Sequence, residues 1–89
     1  MYRIEVTPAA ERELNKLKER MHRRDFEGLG VAIPRLASEP RPRGATKLRG
    51  EAAYRIRIGR YRVIYDIDDD RALVVILKVV RRSESTYRR

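Results

Sequence analysis

Apolar positions recur with two different periods along the chain, and the period changes near residue 40. Tyr2, Ile4 and Val6 alternate with Arg3 and Glu5, the period of a half-buried strand. Thr7-Pro8 then reads as a helix N-cap followed by the first helical residue, where the N–H that proline lacks would be unpaired anyway. Ala10, Leu14, Leu17 and Met21 follow at helical spacing, and Phe26, Leu29, Ile33 and Leu36 repeat it one residue per turn. The pattern predicts a helical hairpin whose two apolar stripes pack on the same surface. Gly28, Gly30 and Pro34 weaken the second helix. Pro34 removes a donor and crowds the carbonyl of Gly30, at a typical cost of ~3 kcal/mol, so a kink is expected there.

Pro40-Arg41-Pro42-Arg43-Gly44 forces a turn or an extended path, and beyond it the pattern becomes that of strands. These cover Tyr54 to Ile58, Tyr61 to Ile67 and Ala72 to about Val80. Gly59-Arg60 suits a two-residue hairpin, because glycine supplies the positive φ such a turn demands. Asp68-Asp69-Asp70-Arg71 makes the second turn. Leu73-Val74-Val75-Ile76-Leu77 is apolar on both sides and reads as the centre of the sheet. The expected fold is α+β, in the order β-α-α-β-β-β: a two-helix hairpin packed on a mainly antiparallel four-stranded sheet, all in one domain over residues 1–89.

A two-residue loop at Gly59-Arg60 fixes the register of its hairpin. Ile58 faces Tyr61, Arg57 faces Arg62, Ile56 faces Val63, Arg55 faces Ile64 and Tyr54 faces Tyr65. Side chains alternate across a strand, so Tyr54, Ile56, Ile58, Val63 and Tyr65 line the core while Arg55, Arg57 and Arg62 converge on the other face. Counting on through the second hairpin sets Arg62 against Leu77 and brings Arg81 out on that same face. Like charges directly opposite one another in a sheet are destabilising by several tenths of a kcal/mol, so Arg57 beside Arg62 points to an anionic ligand. Guanidinium groups donate in a planar, bidentate fashion to phosphate oxygens.

Charge supports a polyanion partner. The 89 residues carry a formal charge of +9, and it is clustered. Residues 41 to 65 hold eight Lys/Arg against Glu51 alone; residues 66 to 77 come to −3 and residues 78 to 89 to +4. No apolar run approaches the length of a membrane span, and no long apolar core of a secretory signal follows Met1. There are no cysteines. A cytoplasmic protein without membrane partner is expected. His22 is the only histidine and falls in the charged link between the helices, so a histidine-based acid–base pair or metal cluster is not available, and no cofactor or metal is expected. Asp66, Asp68, Asp69 and Asp70 read as turn chemistry rather than a Mg²⁺ site, since aspartate favours local backbone bonding in turns. Tyr87, behind the basic tail, could stack on a nucleobase or pack back on the sheet.

The ordered combination of Lys47-Leu48-Arg49-Gly50, Tyr54-Arg55-Ile56-Arg57-Ile58-Gly59, Tyr61-Arg62-Val63-Ile64-Tyr65, Arg81-Arg82 and Tyr87-Arg88 resembles the RelE/ParE toxin superfamily. The resemblance extends to the opening strand, the Thr7-Pro8 helix start and the proline-rich loop. It implies the toxin of a toxin–antitoxin pair. RelE-like members are metal-independent, ribosome-dependent mRNA endonucleases that inhibit translation, and ParE-like members inhibit DNA gyrase without nuclease activity. Carried onto this chain, the RelE-like site places catalytic roles on Arg57, Arg62, Arg81 and Tyr87, and RNA binding on Lys47, Arg49, Arg55, Arg82 and Arg88. Well-studied RelE-like enzymes have lysines where Arg55 and Arg57 stand, and arginine does not readily give up a proton to act as a base. Glu51, Glu84 or ribosomal RNA groups are left to supply one. The expected partners are an acidic cognate antitoxin, forming a hetero-oligomer with an otherwise monomeric toxin, and the ribosome with its mRNA.

Overall fold

A computed structural model describes residues 1–50 and 52–82. Strand β1 (Arg3–Val6) leads into helices α1 (Pro8–Leu17) and α2 (Arg23–Arg35), followed by β2 (Thr46–Lys47), β3 (Ala53–Ile58), β4 (Tyr61–Asp68) and β5 (Leu73–Arg81). The sheet has five strands in the order β1-β5-β4-β3-β2. The α+β class and the helix pair on a mainly antiparallel sheet are as expected. The four-stranded count is corrected to five: β2 is two residues long, too short for any periodicity, and it pairs Thr46 with Arg55 and Lys47 with Tyr54. β1 lies parallel to β5, from Arg3 against Leu73 to Val6 against Ile76, which puts β5 in the interior of the sheet.

Thr7 caps α1 as its sequence implies: φ is −66° and ψ 155°, and its hydroxyl accepts from the Ala10 N–H at 3.1 Å. The same hydroxyl donates to the Leu77 carbonyl at 3.4 Å, tying the helix start to β5. β1 ends opposite Ile76, so the rest of β5 has no strand beside it there; Glu13 of α1 covers the gap by accepting from the Val79 N–H at 3.0 Å. Helix α1 packs on β5 and α2 on β3, where Gly28 leaves only a close approach to Ile58.

The core joins Ala10, Leu29 and Leu36 to Ile56, Val63, Tyr65, Val74, Ile76 and Val79. Two helix expectations need correction. Phe26 is 48 % exposed, and Asp25, the residue before it, is buried instead, because α2 is rotated so that Asp25, Leu29, Ala32 and Leu36 face inward. Pro34 marks the end of α2 rather than a kink within it. The following backbone tightens to i→i+3 bonds, Leu36 N–H to Ile33 O, Ala37 N–H to Pro34 O and Ser38 N–H to Arg35 O.

Candidate nucleic-acid interface

The β3–β4 hairpin fixes the candidate site. Gly59 has φ +58° and Arg60 does not share a positive φ, the pattern of a type II′ turn. The observed register is Ile58 with Tyr61, Arg57 with Arg62, Ile56 with Val63, Arg55 with Ile64 and Tyr54 with Tyr65, matching the expected pairing at every position. Ile56, Val63 and Tyr65 are buried, while Arg57 is exposed and Arg55 and Arg62 are half-exposed on the other side. Ile58 and Tyr61 flank the turn as a hydrogen-bonded pair, so Arg57 and Arg62 form the next, non-hydrogen-bonded pair, whose Cα atoms sit only ~4.5 Å apart. Arg55, Arg57 and Arg62 are thereby brought onto one face.

Arg81 is not among them. β4 and β5 pair Asp68 with Leu73 through Tyr65 with Ile76, but a β-bulge follows, and beyond it Ile64 pairs with Lys78, Arg62 with Val80 and Tyr61 with Arg81. The unpaired extra residue, Leu77, reverses the parity. Arg81 therefore shares the face of Tyr61, beside Lys16 of α1 and Arg20 just after it, on the opposite side of the sheet from the arginine cluster. Arg82 takes over the parity of Arg62. Its backbone N–H donates to Arg60 O at 2.7 Å and its Nη1 to Gly59 O at 3.1 Å, folding the side chain onto the hairpin tip. Lys47 pairs with Tyr54 and so lies across the sheet from the cluster, while Arg49 is exposed in the loop after β2. Tyr87, Arg88, Glu51 and Glu84 lie outside the described residues.

A second polar group, which sequence reading missed, holds the proline-rich loop in place. Arg41 donates from Nη2 to Asp69 Oδ2 at 2.9 Å, from Nη1 to Asp69 Oδ1 at 3.4 Å and from Nε to the Tyr54 hydroxyl at 3.1 Å. Its guanidinium also lies 5.3 Å from the centre of the Tyr54 ring, which stacks on Tyr65 at 5.9 Å. Tyr2 donates to Asp69 Oδ1 at 2.5 Å, and Tyr65 to the Pro40 carbonyl at 2.8 Å. The Arg41 and Tyr2 hydrogen bonds hold the Asp69 carboxyl below its ordinary range, while burial pushes the Tyr65 phenol up to about 12. Asp68 serves the turn, its Oδ1 accepting from the Arg71 N–H, while Asp66 Oδ1 accepts from the Ile67 N–H within β4. Among the described residues no cluster of His, Asp or Glu has the arrangement of a metal site.

This frame, two helices on a mixed sheet with a basic hairpin face, is that of a small toxin class. The sequence matches the family described as the ParE toxin of the type II toxin–antitoxin system parDE over residues 4–86, and the chain belongs to that family. It is 39 % identical to Toxin RelG of Mycobacterium tuberculosis over 90 residues, 99 % of this chain and 98 % of the relative. Its fold is similar to that in the toxin–antitoxin complex RelBE2 of the same organism (TM-score 0.74, 33 % identity, 91 % of this chain and 98 % of that one). The archaeal RelE–RelB complex of Pyrococcus horikoshii is comparable, with a TM-score of 0.76, 27 % identity and coverage of 93 % and 97 %. The protein is thus a toxin of a toxin–antitoxin system of the RelE/ParE superfamily.

Proposed function

We propose that this toxin is a metal-independent, ribosome-dependent mRNA endonuclease. The observation that carries the reading is the direct opposition of Arg57 and Arg62 on an open sheet face. Two guanidinium groups that close favour a phosphate between them, and a preorganised pair of donors stabilises the charge that develops on phosphorus when a neighbouring 2′-hydroxyl attacks. Arg55 extends the contact along β3, and Arg82 supplies the late arginine in place of Arg81 on this face. Tyr87 is the candidate for base stacking, with Arg88 beside it. Lys47, Arg49 and Arg81, away from the cluster, suit contacts to more distant phosphates of mRNA or ribosomal RNA.

Gyrase inhibition is the alternative, and one feature favours it: Arg55 and Arg57 are poor proton acceptors, so the general base is left to another group. Pulsed expression followed by mapping of mRNA ends, alongside assays of plasmid supercoiling, separates the two. Cleavage within translated messages is the expected result. Loss of supercoiling with intact mRNA would give the protein to the gyrase-directed reading. Arg62→Ala should slow single-turnover cleavage on purified ribosomes a hundredfold or more, since one such donor typically contributes ~3 to 4 kcal/mol, while circular dichroism shows the fold retained.

A further inference from the structure

The arginine face does not end at the edge of β3. β2 covers that edge only as far as Arg55, and beyond it a recess of about 300 Å³ opens between β3, the last turns of α2 and the proline-rich loop. Ala32, Pro42, Ile56 and Ile58 give it apolar walls, Arg35 and Arg43 line it from α2 and the loop, and Arg57 borders it from β3 with its side chain on the opposite sheet face, with Glu39 as the one carboxylate. None of the guanidinium groups of these three arginines makes a hydrogen bond or ion pair among the described residues, whereas that of Arg41, two residues before Arg43, is fully engaged by Asp69 and Tyr54. Arg57 borders the recess with its backbone and pairs with Arg62 on the other face, so the recess and the arginine pair adjoin at the free edge of β3.

Backbone geometry adds a donor. The Leu48 N–H bonds to Ala53 O, and Arg55 pairs with Thr46, so the outward-pointing main-chain groups of β3 belong to residues 53, 55 and 57. Those of Arg57 alone are left without a neighbouring strand. One free residue is too little edge for an added peptide strand, which gains its affinity from successive main-chain bonds. It is enough for one phosphate oxygen to accept from the N–H beside the two arginines Arg35 and Arg43.

We infer that this recess is a nucleotide subsite: it takes the RNA nucleotide next to the phosphate held by Arg57 and Arg62. Arg35 and Arg43 bind its phosphate, and its base lies against Ala32, Ile56 and Ile58. The volume is at the lower end of that found for small-molecule pockets and suits a single nucleotide. Glu39 at the rim can accept from the amino edge of the base. The inference rests on the nuclease reading for the identity of its ligand.

The test uses a fluorescent 2′-O-methyl RNA decamer, which binds but has no 2′-hydroxyl to react, so affinity is read without cleavage. The double substitution Arg35→Ala/Arg43→Ala should weaken binding about tenfold and lower the slope of log affinity against log salt by about 1, since each phosphate contact on a single strand contributes roughly 0.7. The control, Arg3→Ala/Arg71→Ala, removes the same charge from exposed positions away from the recess and should leave both quantities close to those of the parent. On ribosomes, the recess variant should need more substrate for half-maximal cleavage while its maximal rate is kept. Equal losses in the two double variants would reduce the effect to bulk charge and overturn the subsite, as would unchanged RNA affinity in the recess variant or failure of the parent to bind the decamer. A parent that cleaves while the recess variant binds like it leaves the nuclease reading standing and the subsite refuted. A parent that binds the decamer through Arg35 and Arg43 but cuts nothing does the reverse.

Discussion

At Gly59 two independent demands meet. Its φ of +58° is one that only glycine adopts without strain, and a Cβ built there would fall on the carboxylate of Asp25, which α2 delivers to the hairpin tip. Sequence alone showed the first demand, because a two-residue hairpin needs such a residue. The second depends on the rotation of α2, and the spacing of Phe26, Leu29 and Ile33 pointed to the wrong rotation, since Asp25 is an improbable residue to bury. Gly59→Ala should therefore destabilise the protein by more than the ~1 to 2 kcal/mol of left-handed strain. Combining it with Asp25→Ala should recover the part due to the clash and leave the strain. Urea melts of the two single variants and the double variant test this, and purely additive losses would show that Asp25 and Gly59 do not compete for the same space.

Among the elements, the first hairpin was legible because a two-residue loop sets parity and the apolar residues of β3 and β4 alternate cleanly. The second was not. An expected loop one residue out of step kept the parity correct as far as Tyr65, and only the bulge at Ile64/Tyr65 moved Arg81 to the other face. An apolar run such as Leu73 to Leu77 carries no period to reveal an extra residue. The Arg41–Asp69 contact is hidden in the same way, since it joins two loops 28 residues apart. Its sign with pH is fixed: a carboxyl held below its ordinary value in the fold stabilises the protein above that value and ceases to do so as pH falls through the folded one. Parent and Asp69→Asn should thus differ in melting temperature at about pH 6 and converge well below about pH 4. A constant difference across that range would exclude the carboxylate charge as the cause. For Tyr65 the sign is opposite. A phenol raised to about 12 contributes stability that is complete below its ordinary pKa of 10.0 and is lost as pH rises toward 12. Ultraviolet titration should show this tyrosine ionising well above its ordinary pKa, together with unfolding.

For the molecule as a whole, the arrangement of charge decides how a partner approaches. The β2–β4 region holds the densest positive block, the β4–β5 turn is acidic, and the helices are nearly balanced. A uniformly basic surface would attract any polyanion, but a basic face bounded by an acidic turn also orients one. If the antitoxin masks this face, its inhibitory segment is expected to be acidic. Between about 0.05 and 0.5 M salt the association rate should then fall by tenfold or more while the dissociation rate changes less, because screening acts on encounter before it acts on the docked contacts. Stopped-flow binding of purified toxin to its antitoxin measures both. A rate indifferent to salt would move the interface off the arginine face and onto an apolar one. The candidate there is the outer side of α2, where Phe26 and Val31 are 48 % and 59 % exposed, and Val31→Glu would then weaken the complex while Arg57→Ala would not.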